Sequence, residues 1–167
     1  WKLVVSPVVY AFMPLALMLL IPSYPFTVAL FYTCLGIFLS LLGARENGDL
    51  RYLIQLPVPK RAIVRARYLL VISIELLQLL LAALAAALRA VLPVSENAAG
   101  LEPDTAFFGA GLVLFAVFNT VFFGGYFKDC DRVGVSFVKA SIAVFLWAAA
   151  AEASVHVARA VWGGCFW

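Results

Sequence analysis

The sequence predicts an all-α, polytopic membrane protein, and three observations carry that prediction. The first is composition: mean hydropathy is +1.04, and 65% of the 167 residues are hydrophobic. Only 13% are charged, against about a quarter in soluble globular domains, so there are too few polar side chains to cover this much apolar surface in water. The second is length. Five apolar stretches approach the roughly 20 residues a helix needs to cross about 30 Å of hydrocarbon at about 1.5 Å per residue. The third is the absence of alternating apolar and polar residues, which argues against a β-barrel. The net charge of +3 follows from where the loops fall rather than from one basic face, so nucleic acid is not an expected partner.

The whole chain reads as one transmembrane domain. Its first span covers about 3–21 and carries Pro14, a kink that neighbouring helices can accommodate. "PSYP" makes a tight uncharged turn before a second span at about 26–43. An elbow over 44–67 precedes the third span, about 68–92. A polar loop with Glu96, Asn97, Glu102, Pro103 and Asp104 leads to the fourth, about 106–127, and "KDCDR" separates that from the fifth, about 133–157. The chain begins at Trp1 and stops at "GGCFW" directly after a span, and both ends are expected to be truncated.

Charge sets the expected orientation. With the amino terminus in the cytoplasm, Lys2, Arg45, Arg51, Lys60, Arg61, Arg65, Arg67, Lys128, Arg132 and Lys139 fall inside, ten of the twelve Lys and Arg residues. Only Arg89 and Arg159 fall outside, along with Glu96, Glu102 and Asp104. Cations resist translocation and acidic groups contribute little, so this is the preferred topology. Cys34, Cys130 and Cys165 lie at different depths, which leaves no internal disulfide, and their spacing fits no metal motif.

The elbow is where five of those cations gather around two prolines, in "NGDLRYLIQLPVPKRAIVRAR". Asn47-Gly48-Asp49 forms a turn with Asp49 as N-cap. Leu50, Leu53 and Ile54 fall at i, i+3 and i+4, one apolar stripe on a short helix, with Arg51 and Gln55 off it. Pro57 disfavours helix at Leu56 and ends the element. Pro59 suits the first turn of the next helix, which carries Lys60, Arg61, Arg65 and Arg67 at headgroup level. Two readings follow: an interfacial loop that only sets topology, or a short, stiffly bracketed lever arm joined to the third span.

A resemblance favours the second. "ENGDLRYLIQLPVPKRAIVRARYLL" (Glu46 to Leu70) resembles the segment between the second and third spans in small permease subunits of ATP-binding-cassette exporters of the type-two superfamily. Leu56-Pro57-Val58, Lys60-Arg61, Ile63-Val64 and Arg67-Tyr68-Leu69 match in order. "GGYFKDCDRVGVSF" (Gly124 to Phe137) is similar to the aromatic-basic turn before that family's fifth span, with Asp129 and Asp131 as departures. The resemblance implies six spans, the sixth lying beyond Trp167, and a pair of permeases, two copies or a copy and a paralogue, in a bacterial plasma membrane. It implies that the elbow helix couples the spans to a separate cytoplasmic ATP-binding subunit that carries the ATP and Mg, with no cofactor on this chain. Export then proceeds by alternating access. Leu50, Leu53, Ile54 and Leu56 would fill a groove on that subunit, next to Pro57, with Glu46, Asp49 and Arg51 as polar contacts around it. The chain has no GxxxxGK[ST] phosphate loop, so hydrolysis is expected on the partner.

Polar residues inside spans are costly and need an account. Glu75 and Gln78 share a face of the third span, either lining a substrate path or making an interhelical contact, for Glu75 with Lys139. Asn119 of the fourth span reads in the same two ways. Glu152, His156 and Arg159 fall on one face near the outer end of the fifth span, either a structural cluster or a pH-sensitive outer gate. The phenylalanines at 107, 108, 115, 118, 122 and 123 are expected to face lipid or to line an apolar path. Ala148 to Ala151 is a candidate permease–permease interface, and Ala82/Ala86, Ala83/Ala87 and Ala149/Ala153 permit close helix approach. The expected function is the permease of an exporter for a peptide, antibiotic or lipid-like substrate. The alternatives are a secondary transporter or non-catalytic scaffold and, further off, an intramembrane enzyme.

Overall fold

The computed structural model describes residues 7–21, 25–55, 57–92 and 103–162. Every regular element among them is helical. Helix α1 (Pro7–Phe12) passes directly into a 3₁₀ segment, Met13–Leu20. α2 covers Phe26–Glu46, α3 Asp49–Gln55, α4 Lys60–Val91, α5 Thr105–Tyr126 and α6 Val133–Trp162. α2, α4, α5 and α6 contain stretches long and apolar enough to cross a membrane, and Val8–Leu20 is a shorter apolar helix. The five expected spans are thus four full-length helices and a shorter one, and residues 3–6 of the first expectation lie outside the described residues.

Pro14 explains the change of helix type. It has no N–H and its ring crowds the carbonyl four residues back, and the tighter helix begins at Met13, just before it. Where a kink was expected, the chain instead winds more tightly. A 3₁₀ helix rises about 2.0 Å per residue, so this short element reaches further than an α-helix of the same residue count.

α2 is the central helix. Half of its best span window is buried, against 22% for α6. Phe26, Ala29, Leu30, Cys34, Ile37 and Leu41 mark its covered surface. α5 and α6 form the closest pair. A Cβ at Gly125 would sit 2.5 Å from Ser136 Oγ and 3.0 Å from Ser136 Cβ, so only glycine admits this crossing. Farther along the pair, Trp147 Nε1 donates to Ala110 O at 3.1 Å.

α4 has a reversed amphipathicity. Arg67, Val71, Ile74, Glu75, Gln78, Ala82, Ala85 and Arg89 face inward, while Leu69, Ile72, Leu76, Leu80, Leu84 and Leu88 are exposed. Charged and small residues point at the bundle and leucines point away from it, as a helix surrounded by lipid requires. Ala82 and Ala85 belong to the face that meets the 3₁₀ segment. There Arg89 Nη1 donates to Leu19 O at 2.9 Å, and its guanidinium lies 5.2 Å from the centre of the Phe26 ring. Arg89, expected only as a cation on the outer side, is 7% exposed and holds the end of the first helix.

The α5 phenylalanines also depart from expectation. Phe107, Phe115, Phe118, Phe122 and Phe123 are buried within the protein, and only Phe108 is partly open. Phe118 stacks on Phe122, Phe122 on Tyr126, and Phe38 of α2 on Phe137 of α6 with ring centres 4.1 Å apart. Aromatic surface of this kind supplies much of the packing in a bundle that gains no hydrophobic drive from lipid.

Candidate functional site: the elbow and its anchor

α2 ends at Glu46 and turns through Asn47-Gly48. Gly48 has φ +70°, a left-handed conformation that costs glycine nothing. Gly48 O then accepts from Tyr52 N–H at 3.1 Å, so Gly48 rather than Asp49 occupies the cap and Asp49 is the first helical residue. Its carboxylate still sits in the first turn, where the helix dipole favours it. α3 ends at Gln55, two residues before Pro57, and α4 begins after Pro59, which caps it rather than lying within its first turn. α4 is one continuous helix of 32 residues, about 48 Å at its rise per residue. It therefore exceeds the hydrocarbon thickness by several turns, and the excess carries Lys60, Arg61 and Arg65, all exposed.

Of the predicted coupling residues, Glu46 and Pro57 are exposed and Asp49 and Leu53 half-buried. Leu50, Arg51 and Ile54 lie on α3, but their side chains, like all of Leu56, fall outside the described residues. The structure adds Tyr52, a 65% exposed aromatic on this helix. It falls off the apolar stripe, so the stripe alone does not reveal it.

The elbow is fastened to the bundle. Arg67, expected at headgroup level, is 7% exposed. Its Nη1 donates to the Tyr126 hydroxyl at 3.0 Å, and the guanidinium lies 6.0 Å from the centre of that ring. Tyr126 closes α5 and is fully buried. Asp49 and Cys130 lie near enough to act electrostatically on its hydroxyl. Four segments therefore converge here: the start of α3, the first turns of α4, the end of α5 and the turn before α6.

That turn is held by Asp129, whose Oδ1 accepts from Asp131 N–H at 3.2 Å and whose Oδ2 lies 3.3 Å from Arg132 Nε. Partial burial raises the Cys130 thiol pKa; Arg67 opposes the shift, and Asp131 and Asp129 add to it.

Two groups of predicted polar residues lie elsewhere. Asn119 Nδ2 of α5 donates to Glu75 Oε2 of α4 at 2.8 Å. Glu75 thus meets Asn119 and not Lys139, whose side chain is exposed. Gln78 is fully buried on the same face. At the other end of α6, Glu152 Oε1 accepts from Thr27 Oγ1 of α2 at 2.7 Å. His156 is exposed, and the Arg159 side chain lies outside the described residues. Thr27 and Glu152 border a cleft of about 230 Å³ whose walls are otherwise apolar, among them Phe31, Leu114 and Phe145.

Helices long enough to span and an inward polar face on α4 define a multi-pass membrane protein, with a basic elbow and its own short helix between α2 and α4. The sequence matches the family described as ABC-2 family transporter protein over residues 1–156. The chain belongs to that family and is a membrane-spanning component of an ABC transporter, which works with a separate ATP-binding subunit. No curated protein and no solved structure matches it.

Proposed function

We propose that this chain is the permease of an ATP-driven exporter and that α3 is the element its ATP-binding subunit grips. In this reading the basic elbow lies in the cytoplasm of a cell whose plasma membrane the helices span. The observation that carries it is the buried Arg67–Tyr126 hydrogen bond. A short helix on a slack loop would absorb a push. One whose adjoining span is bonded to the end of α5 passes the push to α4 and α5 together. Tyr52 and Leu53 offer an aromatic and an aliphatic anchor of the sort that carries binding energy at protein interfaces, and Glu46, Asp49, Arg51 and Gln55 offer the polar rim. Leu50, Ile54, Leu56 and Pro57 complete the contact.

A second permease covers part of α6, the least buried of the long helices. Ala149 and Ala150 are exposed there beside the exposed Leu146 and Phe145, and small residues allow close approach. The substrate is a peptide, an antibiotic or a lipid-like molecule. Glu152 and the apolar cleft beside it lie in reach of such a molecule at the outer end.

The test is transport by the reconstituted permease–ATPase complex. Leu53→Asp and Tyr52→Ala should each leave membrane insertion intact and lower ATP-dependent transport at least ~10-fold, since loss of one hot-spot anchor costs about 2–4 kcal/mol. Unchanged transport in both variants would contradict the reading.

A further inference from the structure

Between α4 and α5 a carboxylate and a carboxamide meet through a single hydrogen bond, Asn119 Nδ2 to Glu75 Oε2 at 2.8 Å. Each group keeps one buried oxygen with no partner, Glu75 Oε1 and Asn119 Oδ1. Two acceptors cannot satisfy each other. Glu75 is 5% exposed. The groups that act on it are the Asn119 amide on α5 and the Cys34 thiol on α2; Gln78, three residues along its own helix, is buried and makes no hydrogen bond to it. No ion pair reaches it among the described residues. A bare carboxylate so placed would carry the several-kcal/mol cost of an unpaired buried ion. A proton on Oε1 removes that charge and also supplies the donor that Asn119 Oδ1 lacks.

We propose that Glu75 and Asn119 form a proton-binding site within the helix bundle: Glu75 Oε1–H donates to Asn119 Oδ1 while Asn119 Nδ2 donates to Glu75 Oε2. The proton comes from hydronium: one O–H bond breaks there, leaving a neutral water, as one O–H bond forms on Oε1. A proton fits this site better than a metal ion or a water because it needs no room, and both unpaired oxygens are sealed from solvent. With the proton bound, two hydrogen bonds clasp α4 to α5. Without it, one bond remains beside a buried charge. The same two helices are joined by Arg67 and Tyr126 toward the elbow, so the proton sets how firmly the inner part of that pair is held. The site stands on the Glu75–Asn119 geometry and does not depend on the transport reading.

The experiment is infrared difference spectroscopy of the full chain in lipid bilayers across a pH titration. The expected result is a protonated-carboxyl carbonyl band at neutral pH that gives way to a carboxylate band in alkali. That band should be absent from Glu75→Gln and displaced to higher frequency in Asn119→Leu, which removes the hydrogen bond to it. Thermal unfolding provides the second readout. The folded state would hold one proton more than the unfolded chain, so wild-type stability should fall as pH rises above the ordinary glutamate range of about 4.3. Glu75→Gln, a neutral mimic of the acid, should lack that component of the slope. Absence of the band in wild type at neutral pH, or its survival in Glu75→Gln, would overturn the proposal. So would stabilisation by sodium at fixed pH in wild type but not in Glu75→Gln, which would make this a metal-cation site. If Glu75→Gln fails to insert, the wild-type titration together with Asn119→Leu still decides: a neutral-pH band unmoved by that substitution also overturns it.

Discussion

At the scale of single residues, the most consequential contact is Arg67 with Tyr126. A hydrogen bond to a charged group contributes about 1.5–3 kcal/mol, and breaking it here leaves a buried guanidinium short of a partner; Arg67 Nε already makes no hydrogen bond. Tyr126→Phe keeps the ring packing and removes only the hydroxyl. It should lower stability by about 1–3 kcal/mol in a thermal or denaturant unfolding measurement, and in the transport assay it should reduce coupling more than insertion. An unchanged unfolding midpoint would mean the hydroxyl holds nothing. Cys130 reports on the same corner. Its raised thiol pKa keeps the neutral, unreactive form dominant at neutral pH. With the other two cysteines replaced by alanine, its alkylation should therefore be slower at neutral pH than that of an unperturbed thiol and accelerate as pH rises. Asp129→Asn together with Asp131→Asn removes two of the causes of the rise and should speed alkylation at fixed pH.

At the scale of elements, what the sequence reveals depends on whether the signal lies along one helix or between two. The α4 face is open to reading: 67, 71, 74, 78, 82, 85 and 89 recur at steps of three or four, and Arg67, Gln78 and Arg89 occupy that row while leucines occupy the other side. Placing Arg67 at headgroup level and Arg89 on the outer side hides the row, because counting charges by side of the membrane ignores helical phase. Glu75 and Gln78 were legible as a polar face, but the choice of Asn119 over Lys139 was not. The two partners lie 44 residues apart, and nothing local sets their relative rotation. The α5 phenylalanines were equally opaque, since lipid and protein interior are alike apolar and hydropathy cannot separate them. The α5–α6 crossing has a direct test at Gly125. Gly125→Val brings a branched side chain against Ser136 and should cost about 1–3 kcal/mol by overpacking, seen as a lowered unfolding midpoint. Gly124→Val, where an added Cβ meets nothing, serves as the control and should cost less.

At the scale of the whole molecule, four long helices share a core, with α2 at its centre and α4, longer than a bilayer's hydrocarbon core is thick, preceded by a short helix and starting with a run of cations. This plan separates two tasks. The far end is closed by Arg89 on the Leu19 carbonyl and by Thr27 on Glu152, which tie the first helix to α4 and α2 to α6. The elbow end is closed by Arg67 on Tyr126, so under the proposed coupling a force applied to α3 would meet a fixed hinge. The helical type of the elements and the places of the four long ones are legible because composition and stretch length decide them, whereas the first of the five expected spans is a shorter helix. The 3₁₀ winding after Pro14 is not legible, because one proline allows either a kink or a tighter helix and packing chooses.

The most direct measurement places a photo-crosslinking amino acid at position 52 of the full chain, expressed in cells together with its ATP-binding subunit. A covalent product with that subunit, stronger in the ATP-bound state and lost on Leu53→Asp, is the predicted result. Crosslinks to lipid alone, or modification of position 52 by a membrane-impermeant reagent added from outside the cell, would contradict the account.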